Sequence, residues 1–413
     1  MAHVLIATYG SRGDTMPLAG LGLHLQRAGH GVTTTTNTEL AAETAALGLD
    51  ARAVGVDLGE PSGEPSLKDA MALVKPAGIR QLNRNLLAAV GDVPADVVLM
   101  TPFAEPAGQA LADARGVPGI PLRLQPVSAT RAFPPSLLAA RSAGGALNLA
   151  AGRAAERAVD VLYNGVVADL RRDLGLPRRS ARRLRRDRAA ARQPVLGGWS
   201  PAVLPRPADW RPGIDVTGYW WSPEPEEGWA PPGELEAFLA GGPPPVLIGL
   251  GSLMIPAAER DRLSAVLDDA LRRAGVRGIV QSGGAGLRVP DRADVLNIGA
   301  VPYSWLFPRV AAVVHSCGAG TTGSALRAGV PTVPLPSPGA DQFFWANRIH
   351  ALGAATAPIP RTKVTVSALA DAIRAAVDDA GYRAAAGALS SAITAEDGAS
   401  AVLEAVERAI TIS

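Results

Sequence analysis

Residues 311–348 read AAVVHSCGAGTTGSALRAGVPTVPLPSPGADQFFWANR, and they show the alternation of strand and helix on which the fold prediction rests. Residues 311–314 are an apolar run typical of a buried strand, and small residues at 317–322 separate it from a helix predicted over 324–328. Backbone N–H groups at such a turn face open space, and the helix dipole adds partial positive charge there. The turn therefore favours an anion, which we interpret as a diphosphate. An ordinary tight turn would show the same small residues.

The rest of the chain repeats this alternation of strand and helix. In the first half, apolar or β-branched runs at 3–8, 32–36, 96–100 and 120–124 alternate with helical patterns, as in a parallel sheet covered on both faces. A second alternation begins at 245–250, after a segment rich in Pro and Trp. The sequence therefore predicts an α/β protein with two similar units and a ligand cleft between them.

We place the domain boundaries at these changes of composition. The predicted parts are a first unit over 1–200, a linker over 201–243, a second unit over 244–395 and a terminal helix over 396–413. Two stretches without periodicity, residues 55–78 and 126–136, follow strands on the side where open α/β sheets bind ligands. They are predicted to be mobile walls of a substrate cleft, or plain surface loops.

The charge and composition of the chain argue against nucleic-acid binding and against a membrane span. A formal net charge of +2 over 413 residues gives no bulk electrostatic attraction to nucleic acid or membranes. The basic run at 178–188 contains no aromatic residue that could stack on bases, so a solvated helix or loop is the better interpretation. The single cysteine, Cys317, excludes an intrachain disulfide, and no apolar run is long enough to span a membrane. With no signal peptide evident, a cytoplasmic location is expected.

Loops at the strand ends of the second unit carry small polar or aromatic residues. These loops contain Ser252, Ser282, Tyr303, Trp305 and the turn at 317–322. The carboxyl ends of parallel strands share one sheet edge, so the loops are expected to converge on one ligand. Trp305 could stack a base or anchor the core. Asp341 and Gln342 could bind sugar hydroxyls or cap a helix.

In the first unit, Asp14 follows the turn Gly10-Ser11-Arg12-Gly13 after the first predicted strand. A carboxylate facing the cleft could remove the proton of a hydroxyl that attacks a sugar carbon, and it could equally cap the following helix. The turn lacks the G-x-G-x-x-G pattern of dinucleotide sites, which disfavours a nicotinamide oxidoreductase. The sequence contains no His and Cys spacing typical of a metal site.

Motifs across nearly the whole chain, in the same order, resemble those of a known family. They are the turn at 10–14, the Trp- and Pro-rich run at 199–220, Gly251-Ser252, the run WLFP at 305–308, the turn at 318–322 and Asp341-Gln342. The chain resembles family 1 nucleotide-sugar glycosyltransferases of the GT-B type. Within that family it is similar to the bacterial branch related to sterol 3-β-glucosyltransferases and antibiotic glycosyltransferases.

The resemblance implies two Rossmann-like domains facing across a cleft, with the C-terminal helix crossing back to the first domain. It also implies an inverting, metal-independent hexosyltransferase that needs no cofactor. The sugar would move from a UDP- or dTDP-linked donor on the C-terminal domain to a hydroxyl of a lipophilic acceptor in the N-terminal domain. Polyketides, terpenoids and sterols are acceptors of this kind. The resemblance leaves open whether the chain forms a homodimer.

The same resemblance assigns roles to individual residues. Asp14 would be the base that activates the acceptor. The implied acceptor contacts are Ser11, Arg12, Phe103 and Phe133. The implied donor contacts are Ser252, Ser282, Trp305, His315, Ser316, Gly318, Gly320, Thr321, Thr322, Asp341 and Gln342.

One departure from the family concerns His315-Ser316, where the family has two histidines and the second contacts a phosphate. A serine can still donate a hydrogen bond, but it brings no positive charge, and losing a charge-assisted bond costs about 1–2 kcal/mol of binding. Two alternatives stay open. One is a nucleotide-sugar epimerase of the same architecture, and the other, because of Ser316, is a non-catalytic auxiliary glycosyltransferase homologue.

Overall fold

Two parallel sheets organise the computed structural model, which describes residues 1–55, 72–138, 141–225, 227–337 and 341–412. The first sheet contains β1 (His3–Ala7), β2 (Gly31–Asn37), β3 (Asp50–Val54), β4 (Val97–Met100), β5 (Gly119–Arg123), β6 (Val195–Gly197) and β7 (Ile214–Val216). The second contains β8 (Val246–Ile248), β9 (Gly278–Gln281), β10 (Val295–Ile298), β11 (Ala312–His315) and β12 (Thr332–Pro334). The strand orders are β3-β2-β1-β4-β5-β6-β7 and β10-β9-β8-β11-β12. Each order reverses direction once, beside β1 and beside β8, and open α/β sheets bind ligands at such switch points.

Helices join these strands, as parallel pairing requires. The first unit contains α1 (Arg12–Arg27), α2 (Thr38–Ala46), α3 (Pro76–Ala89), α4 (Glu105–Arg115), α5 (Gly145–Asp173) and α6 (Ala181–Ala190). The second contains α7 (Gly233–Ala240), α8 (Ala257–Ala274), α9 (Tyr303–Leu306), α10 (Ala319–Arg327), α11 (Gln342–Ala351), α12 (Val366–Asp378) and α13 (Ala380–Thr394). The last helix is α14 (Gly398–Ile412).

The central strands are buried because helices cover both faces of each sheet. Val4, Leu5 and Ile6 of β1 have no exposed surface. The threonines of β2 are buried too, and their hydroxyls find partners. The Thr35 hydroxyl, for example, donates to the Thr8 carbonyl at 2.7 Å. A buried hydroxyl that is paired in this way avoids the cost of lost hydration.

The last helix confirms the predicted crossing back to the first domain. Val402, Ala405 and Val406 of α14 pack in the same core as Val4 and Ile6 of β1. The end of the chain thus ties the second unit to the first, as the GT-B architecture requires.

The predicted linker over residues 201–243 needs correcting at both ends. Residues 214–216 form β7 and pair with β6 in the first sheet, so the first unit extends beyond residue 200. Leu235 of α7 packs with Leu247 and Ile279 of the second sheet. This segment therefore contains two short elements, β7 in the first unit and α7 in the second, and it is not a plain linker.

Two further sequence predictions differ from the structure. The helix predicted at 324 begins five residues earlier, at Ala319, although Gly320, Thr321 and Thr322 have low helix propensity. Packing of Thr322, Gly323 and Ala325 into the interior overrides that propensity. Of the loop predicted at 55–78, residues 56–71 lie outside the described residues, and residues 76–78 open α3.

Candidate active site

The first turn of α10 is the centre of the candidate donor site. Gly318 is its N-cap, with extended backbone and no side chain that caps the helix end. The first helical hydrogen bond runs from the Thr322 N–H to the Gly318 carbonyl at 2.9 Å. The N–H groups of the preceding positions have no partner inside the helix, and the first turn carries no acidic residue. This turn can therefore accept an anion.

Neighbouring strand-end turns meet the first turn of α10. A Cβ atom on Gly251, after β8, would lie 3.8 Å from the Thr321 hydroxyl. The Gly284 N–H, after β9, donates to the Gly251 carbonyl at 2.8 Å. Ser252 follows Gly251 and is exposed, and Ser282 precedes Gly284 and is partly exposed. The predicted convergence of these loops on one sheet edge is therefore what the structure shows.

Trp305 does not point into this group of turns. Its ring packs edge-on against Trp229 with centroids 5.7 Å apart, and the Arg309 guanidinium lies 4.4 Å from the ring centroid. The ring also packs against the core of the second unit, as the core-anchor alternative describes. It stays partly exposed, so the stacking of a base on Trp305 stays a prediction.

Tyr303 is an aromatic residue of the site to which the sequence predictions gave no role. Its ring stacks on Phe307 at 4.3 Å, and its hydroxyl lies 3.3 Å from Gln281 Oε1. Burial raises the pKa of the Tyr303 phenol, whereas a hydrogen bond with Thr321 and the charge of Arg12 lower it. Tyr303 therefore touches the first turn of α10 and lies within the field of Arg12 from the first unit.

His315 and Ser316 occupy different environments. The His315 ring is completely buried, and its Nδ1 accepts the Cys317 N–H at 3.0 Å. Burial lowers the pKa of His315 to about 3, so the ring is neutral. The predicted donor contact at His315 is therefore wrong for this arrangement, because the ring has no open surface and no charge. Ser316 keeps 6% of its surface exposed and is the side chain of the pair that a ligand can reach.

Asp14 lies in the first turn of α1, whose N-cap is Ser11. The Ser11 N–H and hydroxyl both donate to Asp14 Oδ2, at 3.0 and 2.8 Å. Burial raises the pKa of Asp14, and the two bonds from Ser11 oppose that change. Gly10 permits this packing, because a Cβ atom there would lie 2.8 Å from Oδ2. Asp14 therefore caps the helix, while both bonds use only one of its oxygens.

The two first turns lie in contact where the two units meet. A Cβ atom on Gly320 of α10 would lie 3.9 Å from the Gly13 carbonyl of α1. The charge of Asp14 also raises the pKa of Asp341 from the second unit. Beside them, Arg12 forms a bidentate ion pair with Glu43 at 2.5 and 2.6 Å. The structure thus brings Asp14, the α10 turn and Asp341 together, as the sequence analysis expected.

Asp341 and Gln342 begin α11. Asp341 is 7% exposed, and its Oδ2 accepts the indole N–H of Trp345 at 2.8 Å. Desolvation raises the pKa of Asp341 to about 6, the bond from Trp345 lowers it, and the charge of Asp14 adds to the rise. Gln342 Oε1 accepts the Ser337 N–H at 2.8 Å, which leaves its amide nitrogen for other partners.

The two phenylalanines predicted to contact the acceptor are packed elsewhere. Phe133 is 8% exposed and packs against Trp210 and Phe344, with centroids 6.1 and 5.3 Å apart. It belongs to an interdomain aromatic cluster that also contains Trp199 and Trp345. The acceptor role of Phe133 is therefore corrected to a role in joining the two units. Phe103 is partly buried and packs against two cores of the first unit.

The described ranges contain neither a candidate metal site nor a candidate membrane-spanning helix. No group of three or more His, Cys, Asp or Glu side chains there is arranged to hold a metal ion. No helix there has the length and apolar character needed to cross a bilayer.

Comparison with known proteins agrees with this architecture. Residues 276–408 match the domain family described as Erythromycin biosynthesis protein CIII-like, C-terminal domain. The chain is 34% identical to the O-mycaminosyltylonolide 6-deoxyallosyltransferase of Streptomyces fradiae, over 96% of this chain and 94% of that protein. It is 31% identical to the sterol 3-beta-glucosyltransferase of Candida albicans over 91% of this chain, which spans about a quarter (26%) of that protein.

A solved structure shows the same fold. The glycosyltransferase VinC, crystallised in complex with dTDP, has a TM-score of 0.68 at 18% identity, and the match covers 100% of both chains. The parallel sheets, the helix that crosses back and the similarity along the whole chain all lead to one assignment. The chain belongs to the GT-B glycosyltransferases of family 1.

Proposed function

We propose that the chain transfers a sugar from a dTDP- or UDP-sugar to a hydroxyl of a lipophilic natural product, with inversion at the anomeric carbon. The observation that carries the proposal is that the turn carrying Asp14 lies against the uncapped first turn of α10. The transferase of Streptomyces fradiae and the dTDP complex of VinC support the substrate class.

The diphosphate of the donor binds at the first turn of α10. Its oxygens accept hydrogen bonds from the backbone N–H groups that follow Gly318, and the helix dipole favours the negative charge. The hydroxyls of Ser316 and Thr321 lie beside this turn and add neutral donors. Binding here relies on backbone dipoles, because the neutral ring of His315 is buried.

Asp14 acts as the base for the acceptor. Its Oδ2 is held by Ser11, so Oδ1 receives the proton of the attacking hydroxyl. The acceptor oxygen forms a bond to the anomeric carbon from the face opposite the diphosphate. The bond from that carbon to the phosphate oxygen breaks, and its electron pair leaves with the diphosphate. The α10 turn stabilises the charge that develops there.

Asp341 and Gln342 hold the sugar beside the two turns. The ionised carboxylate of Asp341 accepts hydroxyl hydrogens, and the amide nitrogen of Gln342 donates to a sugar oxygen. The Trp345 indole fixes the Asp341 carboxylate, and the aromatic cluster fixes Trp345. The interdomain aromatic cluster thereby determines where the sugar lies.

The experiment is a transfer assay with a panel of dTDP- and UDP-sugars and hydrophobic alcohols, read by mass spectrometry and by NMR of the anomeric proton. We expect a donor-dependent glycoside of inverted configuration. Incubation with donor alone tests for an epimerase, which would convert the donor without an acceptor. Calorimetry with dTDP and UDP tests for an auxiliary protein. Absence of both nucleotide binding and transfer would overturn the proposal.

A further inference from the structure

Helix α5 has two apolar faces, and only one of them is covered by the described part of the chain. It has 29 residues, and Val166 and Leu170 pack into a core with Ile79 and Ala110. On the other side Leu147, Val161 and Leu162 are 61%, 79% and 49% exposed. A surface helix of a globular protein normally places charged or polar residues on its outer face.

The exposed side follows a regular pattern. We define the apolar face of α5 as Leu147, Ala151, Ala154, Ala158, Val161 and Gly165, all of which are exposed. Their spacing of four and three residues in turn is the a/d spacing of a helix that packs against another helix. The face is about 27 Å long at about 1.5 Å per residue. It ends where Asp169 binds Arg80 and Arg172.

We propose that this face is the contact between two copies of the chain, with the two α5 helices antiparallel about a two-fold axis. In antiparallel packing, each layer of the contact combines an a position of one helix with a d position of the other. Leu147 then faces Gly165, Ala151 faces Val161 and Ala154 faces Ala158. Each large side chain meets a small one, and alanines lie on both helices at the centre of the contact.

This size pattern is self-complementary, which a two-fold contact requires and a contact with an unrelated surface does not. The contact is one helix pair, and stable interfaces usually bury about 1,200–2,000 Å² in total. We therefore expect a reversible, concentration-dependent dimer.

A charged residue beside the apolar face of α5 gives a second way to test the dimer. Arg157 lies beside the face and close to the two-fold axis, so two copies of this cation approach each other in the dimer. Salt screens such repulsion. Raising the ionic strength, or changing Arg157→Gln, is expected to tighten the dimer by about 2–5-fold.

Sedimentation velocity of the full chain over a range of concentrations tests the proposal with a matched pair of variants. Val161→Glu places an unpaired carboxylate in the contact and is expected to weaken the dimer by at least about 100-fold. Val159→Glu changes the same residue type two positions away, about 200° around the helix, and should leave the dimer unchanged. Val159 is 54% exposed, so both variants should fold, which circular dichroism checks.

Cross-linking tests the register. A mixture of Ala154→Cys and Ala158→Cys proteins should form mixed disulfide dimers faster than either protein alone, and the native Cys317 is buried. A wild type that stays monomeric at every concentration would overturn the proposal. If that monomer bound anionic lipid vesicles, the face would belong to a lipid surface instead. Equal effects of the two glutamate variants would also contradict it.

Discussion

The first turns of α1 and α10 are built alike and differ in charge. Each follows a buried strand at the switch point of its sheet, and the Gly13 and Gly320 backbones bring the two turns together. In α1, the N-cap Ser11 holds Asp14. In α10, the N-cap Gly318 has no side chain, and the first turn carries no acid.

This difference gives each turn its own task. The carboxylate of Asp14 already occupies the positive end of α1, and a second anion there would be repelled. The end of α10 stays open, so the diphosphate binds there. A proton acceptor and an anion site then lie side by side, with the sugar beside both. The predictions below alter one turn at a time, in order of decreasing expected effect.

Removing the charge of the α1 turn should have the largest effect. Asp14→Asn keeps the shape of the side chain but cannot take a proton, so kcat should fall by about 10²–10⁴-fold. The affinity for dTDP, measured by calorimetry, should stay within about threefold because the α10 turn is unchanged. Ser11→Ala is the control. It removes one hydrogen bond to Oδ2, and its kcat should fall much less. Equal turnover by Asp14→Asn and wild type would remove Asp14 from the mechanism.

Adding a carboxylate to the first turn of α10 should remove the difference in charge between the two turns. Ala319→Asp places a carboxylate in the first turn of α10, where it repels the diphosphate. The affinity for dTDP should fall by about 100-fold, measured on protein that circular dichroism shows to be folded, because Ala319 packs against the aromatic cluster between the units. Ala319→Asn has the same shape without the charge and should lose much less. Unchanged dTDP binding by Ala319→Asp would show that the diphosphate lies elsewhere.

Sequence reasoning predicted the features that depend on local pattern. Strand and helix alternation predicts the two parallel sheets that the structure contains. The small residues between β11 and α10 predict an anion site, which stays a prediction. Asp14 was assigned from the resemblance of its turn to a family motif. The structure places it beside the predicted turn.

The errors concern features that only packing decides. The resemblance to the family implies ligand contacts for His315 and Phe133, and a motif match does not reveal how the rest of the fold packs around a side chain. The fold instead buries His315 in the interior and places Phe133 between the units. Tyr303 was given no role, because nothing in its local sequence reveals the hydroxyl contact with Gln281.

A smaller effect is expected at Ser316, which tests whether the α10 turn binds the diphosphate mainly through its backbone. A neutral hydrogen bond contributes about 0.5–1.5 kcal/mol, so Ser316→Ala should weaken dTDP binding by about 2–10-fold. Thymidine, which has no phosphate, is the control ligand, and its affinity should be the same for both proteins. A loss far above tenfold would mean that the Ser316 side chain, rather than the helix end, provides most of the binding.

The last prediction concerns Asp341, the carboxylate that lies near both turns. Its pKa is raised to about 6, chiefly by desolvation, and the indole N–H of Trp345 favours the ionised form. Because the sugar needs the ionised form, donor affinity should be constant well above pH 6 and fall as the pH drops through that value. Trp345→Phe removes the N–H and raises the pKa further, so the loss of affinity should begin at a higher pH, by up to about one unit.

The measurement is the pH dependence of nucleotide-sugar affinity, with dTDP alone as the reference ligand. Above pH 8 the variant and the wild type should agree within about threefold, since Asp341 is ionised in both. Phe344→Leu alters the same aromatic cluster without touching a hydrogen bond to Asp341, so its pH profile should keep the midpoint of the wild type. If Trp345→Phe lowered affinity equally at every pH, Trp345 would act through packing alone, and the carboxylate of Asp341 would have no part in binding the sugar.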